Sequence, residues 1–506
     1  MAFDPEQLCS CRKRATIVER VFDVIIVGAG LSGVGAARQI RSNCPEIQFC
    51  ILESRKTMGG TWDLFRYPGI RSDSDMYTMA YESKPWNRPK AIADGASILN
   101  YIKEAALEDA IDQDIYFDHR VTSAKWSSEN CTWTLGVENS RKEAEQSFSC
   151  RVLYICSGYF NYETGHNPEL QNQSQFSGQI VHPQFWPSDL DYGEKTVTIL
   201  GSGATAITLA PALAQNAKKV FLLQRSPSYI LALPSFDPIG KFTNLILPKK
   251  LAHSLNRKRY ISLQSFFYKR ARKHPNQTKR FLLKLLRARL DSEYDIGKHF
   301  LPKYDPWDQR LCLAPDGDFF DAINSGKVEV ITDEIETLTP EGIKLKSGPT
   351  FDTDIIITAT GLKLKLLGGI EFYKDGDPIE LSDTFSYKGL MFSNVPNLFS
   401  TMGYVNASWT LRSELASEFI CRVLNKMKTL HANEVVPTLK DSSRLKAEKF
   451  FGENFSPGYI MRDLNLFPKQ ADVDPWRFIQ NYKIDRKSIR RGPLEDGVLQ
   501  FKSTPR

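Results

Sequence analysis

The sequence predicts an α/β protein built from two parallel β-sheets, with a basic helical insertion in its second half. Three observations support this prediction. An apolar strand, a glycine-rich turn and a helix with small residues follow one another over 21–41, and the same order returns over 196–215. The turn at Gly201 comes 173 residues after the turn at Gly28. Between 241 and 290 the chain has fifteen Lys or Arg residues and no Asp or Glu.

Length and composition restrict the class of protein further. A chain of 506 residues is too long for one hydrophobic core, so we expect two or three domains. The hydrophobic share of 42% and the charged share of 25% are ordinary for a globular protein and argue against disorder. Without the window 241–290 the chain has 51 basic and 59 acidic residues. One basic segment on a mildly acidic protein is not typical of a nucleic-acid binder, so no nucleic-acid partner is expected.

Cysteine and histidine usage argues against a disulfide framework and a metal site. The nine cysteines are scattered without a CxxC pair, which favours a reducing, cytoplasmic location. The seven histidines show no metal-ligand spacing, so no metal is predicted. No stretch reaches the roughly 18 apolar residues of a membrane span. Residues 1–20 lack the apolar core of a signal peptide and are interpreted as an extension.

The first repeated unit predicts a dinucleotide site of the Rossmann type. The sequence GxGxxG, with Gly28, Gly30 and Gly33, directly follows a strand and opens a helix. These glycines permit a tight turn, close approach of backbone to a pyrophosphate and close packing of helix on strand. Glu53 ends the next strand, where its carboxylate can accept hydrogen bonds from ribose hydroxyls. Because that charge repels a 2′-phosphate, we expect FAD or NAD here and not NADP.

The second unit predicts a site with the opposite preference. Gly201 to Ala206 reads GxGxxA after a strand, and the next strand ends at Gln224, followed by Arg225 and Ser226. An arginine at this position suits the 2′-phosphate of NADP, and the serine can add a hydrogen bond. Two such units in one chain indicate a flavoprotein that takes hydride from NADPH.

The remaining elements fit this plan. Helices are predicted over 97–109 and 409–428, and further strands over 115–137, 152–156, 328–331 and 355–357. The runs 154–158 and 357–361 each end an apolar strand at a small residue and a glycine, where the chain could cross between domains. The last 60 residues, rich in Pro and Arg, are expected to lie over the surface.

Two long motifs resemble a known family. Residues 176–187 read FxGxxxHxxxWP between the two glycine motifs, and residues 59–73 read GGxWxxxxYPGxxxD. Together they resemble the signatures of type I Baeyer–Villiger monooxygenases, which are class B flavin monooxygenases, over about 21 to 500. The resemblance implies an FAD-binding domain from 21–175 and 371–506 and an NADP-binding domain at 188–370. It also implies a helical insertion at 241–300 and a fingerprint linker at 176–187.

The family's chemistry follows from the resemblance. NADPH reduces FAD, and the reduced flavin binds O2 as a C4a-peroxyflavin. This species converts a ketone into an ester or lactone, or it oxidises the sulfur of a thioether or thioamide. The implied partners are O2 and a small lipophilic ketone or sulfur compound.

The resemblance also assigns residues. Arg310 would be the catalytic cation, and Asp73 would orient it. Residues that match FAD positions are Gly28, Gly30, Ser32, Gly33, Glu53, Thr61, Trp62, Asp63, Leu64, Asp73 and Val121. Residues that match NADP positions are Arg71, Ser72, Asp73, Gly201, Ser202, Gly203, Ala204, Thr205, Ala206, Ile207, Arg225 and Ser226. Gln309 stands where many members of the family have Lys, and His182 and Trp186 are expected to couple domain motion.

Some alternatives stay open at this stage. The basic segment 241–290 is either a helical cap with a solvated face or an amphipathic surface that contacts a membrane. The enzyme could instead be an N- or S-oxygenating flavin monooxygenase, or a non-oxygenating flavin redox sensor. A disulfide reductase is disfavoured because Cys44 and Cys50 are wrongly placed for a redox pair at a flavin.

Overall fold

The computed structural model describes residues 18–139, 146–443, 445–451 and 457–503. A large mixed sheet forms the first half of the fold. Its central strand Val18–Val27 lies between Gln146–Ile155 and Phe49–Glu53 and runs parallel to both. From one edge to the other the strands are Asp377–Pro378, Glu371–Lys374, His119–Ser127, Thr132–Asn139, Gln146–Ile155, Val18–Val27, Phe49–Glu53 and Ile115–Phe117, and Leu398–Ser400 also pairs with Gln146–Ile155.

The end of the central strand, residues 24–27, is apolar because both faces of the sheet are covered there. Val24 and Ile26 pack into a core formed with helices Leu31–Asn43, Gly95–Glu108 and Trp409–Leu430. Ile25 and Val27 point the other way, into a core that contains Trp126. Burial on both sides explains why this segment reads as a continuous apolar run.

A second, wholly parallel sheet forms the other half. Its strands, in order, are Val328–Thr332, Lys219–Gln224, Thr196–Leu200, Ile355–Ile357 and Gln179–Val181. Helices Ala204–Leu213 and Asp318–Asn324 pack on it. The edge strand Gln179–Val181 belongs to the segment 176–187, so part of the fingerprint is a strand of this sheet.

The chain crosses between the two halves through a paired ribbon. Strand Phe160–Gly165 carries it out of the first half, and strand Leu362–Leu364 carries it back. The two strands pair antiparallel, with Leu362 opposite Gly165. Both follow the glycine-ending runs that the sequence marks as crossing points.

The basic segment is helical, as predicted. Its helices are Pro238–Ile246, Lys249–Lys273 and Pro275–Arg287, and they pack against one another. Across the described ranges, no helix is both long and apolar enough to cross a membrane.

The predictions for the two ends of the chain have different outcomes. The predicted extension 1–20 lies outside the described residues up to residue 17, and the first strand already begins at Val18. The expectation that the last 60 residues lie over the surface is wrong in part. Trp476, Phe478 and Ile489 are buried, because this segment fills space beside helix Trp409–Leu430 and the ribbon.

The remaining elements are short. The other strands are Ile230–Leu233, Cys312–Pro315, Ile335–Leu338, Gly342–Leu345, Thr350–Asp352, Ser386–Tyr387, Met391–Phe392, Glu434–Pro437, Ala447–Glu448, Gln470–Ala471 and Leu499–Lys502. The other α-helices are Thr61–Leu64, Met76–Met79, Ile296–His299, Gly458–Arg462 and Tyr482–Arg491, and the 3-10 turns are Ile111–Asp114, Gln173–Gln175, Pro183–Phe185, Leu366–Gly369, Leu381–Asp383 and Leu464–Leu466.

Candidate active site

A cavity of about 1250 Å³ lies where the carboxyl ends of the parallel strands of both sheets meet. Ligands of open α/β sheets bind at this end of the strands. Both glycine-rich turns reach its wall. The predicted residues that line it are Gly28, Gly30, Ser32, Glu53, Thr61, Trp62, Leu64, Ser72, Asp73, Val121, Gly201, Ser202, Gly203, Ala204, Thr205, Arg225, Ser226 and Arg310.

The first glycine turn is shaped by two close backbone approaches. Gly28 has a φ of +102°, and a Cβ there would lie 2.9 Å from the carbonyl oxygen of Cys156. A Cβ on Gly33 would lie 1.8 Å from the carbonyl oxygen of Gly28. Helix Leu31–Asn43 therefore begins directly against the strand, and its first N–H groups reach the cavity wall, where they can bind an anion.

Glu53 closes the inner end of this site. Its Oε2 accepts the backbone N–H of Ala29 at 2.7 Å, and its Oε1 accepts that of Arg55 at 2.9 Å. Burial raises the pKa of the Glu53 carboxyl, and these two backbone donors oppose that rise. A carboxylate has further lone pairs, so hydroxyl groups in the cavity can donate to it as well.

Five of the predicted residues stand behind the wall, namely Gly33, Asp63, Arg71, Ala206 and Ile207. Ala206 and Ile207 are buried in the core under the second sheet. The Asp63 carboxylate is buried and pairs with Arg55 and Arg66, at 2.5 Å each. These five residues pack behind the cavity wall and do not face the cavity.

Arg71 is also turned away from the cavity. Its guanidinium forms an ion pair with Asp318, the first residue of helix Asp318–Asn324. The family motif indicates an NADP contact at this position, yet here the side chain ties the segment before Asp73 to the second half of the fold.

The second glycine turn repeats the geometry of the first. Gly201 has a φ of +137°, and a Cβ there would lie 2.4 Å from the carbonyl oxygen of Ala359. Gly203 differs, because a Cβ on it would meet no atom of the described chain within 4 Å. The space beside Gly203 is cavity, so this glycine leaves room for a ligand.

Arg225 and Ser226 stand at the rim of this second site. Both side chains are exposed and line the cavity. Within the described residues Arg225 forms no ion pair. The pKa of the nearby Glu334 carboxyl is lowered mainly by Lys346 and to a smaller extent by the Arg225 charge. An exposed guanidinium without a carboxylate partner can bind a phosphate with two hydrogen bonds.

Arg310 and Asp73 meet on the cavity wall. The Arg310 Nη1 donates to Asp73 Oδ2 at 2.8 Å, and both side chains keep nearly two-fifths of their surface exposed to the cavity. Burial opposes the guanidinium charge, but Asp73 and the hydroxyls of Tyr459 and Tyr159 hold the pKa of Arg310 above its ordinary value. The structure thus brings together the two residues that the motifs placed 237 positions apart.

Aromatic residues that sequence reasoning missed complete the wall around this pair. Tyr159 and Tyr459 line the cavity, and the Tyr159 ring packs on that of Trp409 at 5.3 Å. Trp409 is the first residue of helix Trp409–Leu430, which the sequence predicts over 409–428. Tyr159 follows the crossing at Gly158, which was the available signal, whereas Tyr459 carries no local motif.

The cavity also presents polar atoms without partners. Ser157 Oγ and Ser408 Oγ line it, are buried, and accept or donate no hydrogen bond within the described ranges. Buried polar groups are nearly always paired, so these hydroxyls indicate a polar ligand or water. Together with the open space at Gly203 and the acceptor at Glu53, they fit dinucleotide cofactors with hydroxyl and phosphate groups.

His182 of the fingerprint contacts a crossing strand. Its Nε2 lies 3.2 Å from the carbonyl oxygen of Gly361, and its Nδ1 accepts the N–H of Gln184 at 3.1 Å. Burial lowers the pKa of the His182 ring. A neutral ring that donates from Nε2 satisfies both contacts, so the residue joins the fingerprint to the ribbon.

Comparison with known proteins decides the family. Residues 22–456 match the family described as flavin-binding monooxygenase-like. The chain belongs to this family. The resemblance to flavin monooxygenases that rests on the motifs at 59–73 and 176–187 is thereby confirmed.

Curated relatives of this flavin-binding monooxygenase-like chain match nearly end to end. The FAD-containing monooxygenase EthA of Mycolicibacterium smegmatis is 48% identical, covering 95% of this chain and 97% of the relative. EthA of Mycobacterium tuberculosis is 47% identical, covering 96% and 98%. The probable FAD-binding monooxygenase AlmA of Acinetobacter baylyi is 44% identical, covering 96% and 97%.

Solved structures show the same fold. A steroid monooxygenase bound to NADP superposes with a TM-score of 0.77 at 22% identity, covering 95% of this chain and 99% of that one. A polycyclic ketone monooxygenase from Thermothelomyces thermophila gives 0.76 at 18% identity, covering 97% and 91%. The predicted fold class and the predicted flavin monooxygenase class are confirmed.

Proposed function

We propose that this protein uses NADPH and O2 to oxidise lipophilic ketones to esters, with FAD as its cofactor, and that it also oxidises the sulfur of thioethers and thioamides. The observation that carries the proposal is the Arg310–Asp73 pair on the wall of a cavity that both glycine turns share. The balanced reaction consumes ketone, O2, NADPH and one proton and yields ester, water and NADP⁺.

The two cofactors divide the cavity between the two sheets. For FAD, we assign the turn at Gly28 to Gly33, Ser32, Glu53, Thr61 to Leu64, Asp73 and Val121, with Asp63 and Gly33 acting from behind the wall. For NADP we assign Ser72, Asp73, Gly201 to Thr205, Arg225 and Ser226, with Arg71, Ala206 and Ile207 as supports. By the same division, 21–175 and 371–506 form the FAD-binding domain, and 188–370 form the NADP-binding domain.

The chemistry depends on a fixed charge. FAD, when bound, accepts hydride from NADPH and in its reduced form activates O2 for transfer of one oxygen atom. Arg310 stabilises negative charge that develops on oxygen in the cavity, and Asp73 holds the guanidinium in one orientation. Tyr159 and Tyr459 lie near Arg310, and Trp409 packs on Tyr159, so ring surface lines the cavity beside the pair and limits access of water.

The surroundings of the pair favour a lipophilic substrate. Tyr159 and Trp409 adjoin a cluster of buried apolar residues. Its members Leu364, Met402, Phe450, Phe451, Ile460, Phe467 and Phe478 lie behind the cavity wall. The apolar side chains of the cluster that reach the cavity are Tyr159, Phe160, Trp409 and Tyr459. An alkyl chain loses contact with water beside such side chains, and each buried CH2 stabilises binding by about 0.8 kcal/mol.

Product analysis with labelled oxygen tests the proposal. The purified FAD-containing protein would be supplied with NADPH, ¹⁸O2 and 2-dodecanone, and products would be analysed by mass spectrometry. We expect decyl acetate with one ¹⁸O atom as the bridging ester oxygen. Arg310→Ala should bind FAD but form about 10²- to 10³-fold less ester. Arg88→Ala, which removes a surface ion pair with Glu104, is the matched control.

The alternatives predict other products. Methyl p-tolyl sulfide in a parallel reaction would yield labelled sulfoxide for the proposed enzyme as well. Sulfoxide without any ester would favour an N- or S-oxygenating monooxygenase. Consumption of NADPH with hydrogen peroxide as the sole oxygen product would favour a non-oxygenating redox protein and contradict the proposal.

We also propose that the protein is cytoplasmic and contacts a membrane surface through the basic apolar surface, meaning the exposed side chains of residues 236–290. Leu245 is 83% exposed and Phe242 is 61% exposed. The exposed large apolar residues here are Phe236, Ile239, Phe242, Leu245, Ile246, Leu251, Leu255, Leu263, Phe266, Phe267, Phe281 and Leu285. Monomeric soluble proteins rarely expose apolar side chains in such density.

Charge complements this apolar surface. Among the cations of 241–290, the buried Arg257 and the partly exposed Arg259 and Arg272 pair with carboxylates. The other Lys and Arg residues of 241–290 form no ion pair with any described residue. Basic side chains around exposed apolar ones are the pattern of helices that lie in an anionic lipid interface.

Sedimentation with vesicles tests this contact. We expect binding to vesicles of equal parts phosphatidylglycerol and phosphatidylcholine at low salt, and none to pure phosphatidylcholine. The triple variant Phe242→Ser, Leu245→Ser, Ile246→Ser should lose binding, while Leu107→Ser, at an exposed apolar residue outside this surface, should retain it. Equal sedimentation with neutral vesicles, or none with either, would contradict the contact.

A further inference from the structure

Helix Lys249–Lys273, which we call the bracing helix, contacts both segments that carry the Arg310–Asp73 pair. It has 25 residues and is therefore about 37 Å long. It contacts Asp75, two residues after Asp73, and Asp308, two residues before Arg310. These contacts show how the pair is held.

The middle of the bracing helix holds the segment that follows Asp73. Gln264 Nε2 donates to Asp75 Oδ2 at 2.9 Å, and Asp75 caps the short helix Met76–Met79 by accepting the N–H of Thr78 at 2.9 Å. The Tyr260 ring stacks on Tyr77 at 5.3 Å. The backbone just beyond Asp73 is therefore fixed to this helix.

A buried arginine strengthens the same contact. Arg257 donates from Nη1 to the carbonyl oxygens of Tyr77, at 3.1 Å, and Ala80, at 2.7 Å. Its other terminal nitrogen pairs with the buried carboxylate of Glu414 on helix Trp409–Leu430. Moving this region would leave buried charges unpaired, which is costly.

The last part of the bracing helix holds the loop that leads to Arg310. Arg272 Nη1 pairs with Asp308 Oδ1 at 2.5 Å, two residues before Arg310. Asp308 Oδ2 in turn accepts the N–H of Asp305 at 3.1 Å. The ring of Tyr268 meets the edge of Trp307 at 6.4 Å.

The loop needs such support because its conformation is strained. Trp307 has a φ of +72°, which is rare for a bulky residue and energetically unfavourable. Strained backbone persists only where the surroundings hold it. The ion pair between Arg272 and Asp308 is the charged contact by which the bracing helix holds this loop.

We propose that Arg272 is a positioning residue that sets the orientation of Arg310 through Asp308, an inference that rests on the proposed role of Arg310. Arg272 acts on a side chain in the cavity and does not line the cavity itself. Without it, the loop relaxes and the Arg310 guanidinium leaves the position that Asp73 defines.

The midpoint potential of the bound FAD tests this inference apart from oxygenation. A fixed cation in the cavity stabilises the anionic reduced flavin, so Arg310→Ala should make the potential more negative. We expect Arg272→Ala to shift it in the same direction by a smaller amount, and Arg272→Lys to restore part of the shift. In an Arg310→Ala background, Arg272→Ala should add no further shift, because it acts through Arg310. Arg88→Ala is the matched surface control.

Steady-state kinetics supply a second readout. Arg272→Ala should lower kcat for the ketone about tenfold and release more hydrogen peroxide per NADPH, with the KM for NADPH unchanged.

If Arg310→Ala shifts the potential but Arg272→Ala behaves as Arg88→Ala does, the inference is overturned and the proposed function stands. If Arg310→Ala leaves the potential unchanged, the inference is overturned, and product analysis decides the proposed function separately. If wild type forms neither ester nor sulfoxide, the proposed function fails, and the potential still tests Arg272.

Discussion

Trp409 Nε1 donates a hydrogen bond to Ser32 Oγ at 2.8 Å. The bond joins the first residue of helix Trp409–Leu430 to the first turn of helix Leu31–Asn43, although the two residues are 377 positions apart. Both side chains line the cavity. The C-terminal half of the chain thus orients a hydroxyl within the first glycine unit.

This bond predicts an effect on FAD retention. Trp409→Phe keeps a ring against Tyr159 but removes the N–H, so Ser32 loses its partner. A net loss of about 1 kcal/mol corresponds to about fivefold weaker FAD binding. Titration of apoprotein with FAD, followed by flavin fluorescence, measures the change. Trp86→Phe is the control, because Trp86 Nε1 bonds to the carbonyl oxygen of Lys90 away from the cavity. Equal weakening in both variants would contradict the prediction.

The two glycines of the second turn should respond differently to alanine. Gly203→Ala adds a methyl group to open space, so we expect a normal Tm and normal FAD content but a raised KM for NADPH. Gly201→Ala places the methyl group 2.4 Å from the Ala359 oxygen at a positive φ, so we expect poor folding. Thermal unfolding and NADPH kinetics of both variants check this contrast. A normal KM in Gly203→Ala would place the nicotinamide cofactor elsewhere.

Arg225 should decide between the two nicotinamide cofactors. Arg225→Ala removes the proposed charge-assisted contact to the 2′-phosphate. Such a contact is worth about 1.5–3 kcal/mol, so KM for NADPH should rise about tenfold to a hundredfold. KM for NADH should stay unchanged, since NADH lacks that phosphate. Arg477→Ala removes another exposed arginine outside the cavity and should alter neither value. A parallel rise for both cofactors would argue against phosphate recognition by Arg225.

His253 should make stability depend on pH. His253 belongs to the bracing helix, its ring is buried against Tyr77, and neither nitrogen has a hydrogen-bond partner in the described part of the chain. Burial, and then the Arg257 charge, lower its pKa from 6.5 to about 4. The unfolded chain therefore takes up a proton before the folded one does, so stability falls as pH drops from about 6.5 to about 4, by up to about 3 kcal/mol.

Thermal unfolding of His253→Leu tests the sign of this effect. Tm should fall more steeply in wild type than in the variant over that pH window, and the two curves should run in parallel above pH 7. Parallel curves over the whole range would mean that the ring is protonated equally in both states.

Sequence patterns were sufficient for the parts of the site that are local. The glycine turns, Glu53 and Arg225 each follow a strand at a short, fixed spacing, so the backbone that places them is encoded beside them. Arg71 shows the limit. Its motif indicates a cofactor contact, but its ion pair with Asp318 joins positions 247 apart, and no local pattern encodes that distance.

The aromatic residues of the cavity wall could not be predicted from the sequence for the same reason. Tyr459 reaches the cavity because residues 457–467 pack on the ribbon, where Asp463 Oδ2 accepts the N–H of Leu364 at 3.0 Å. Composition alone suggested a surface path for this part of the chain. Its buried aromatic residues are spaced irregularly, as loops that fill gaps are, and show neither helical nor strand periodicity.

The pairing of Gly165 with Leu362 has a consequence for how such a protein could be assembled. A segment whose two ends are adjacent can be inserted into a host fold without displacing the host's termini. Residues 166–361 satisfy that condition, so a relative's version of this half could replace it as one cassette. The exchange would have to preserve Asp318 for Arg71 and Arg310 for Asp73, since those ion pairs cross the boundary of the cassette.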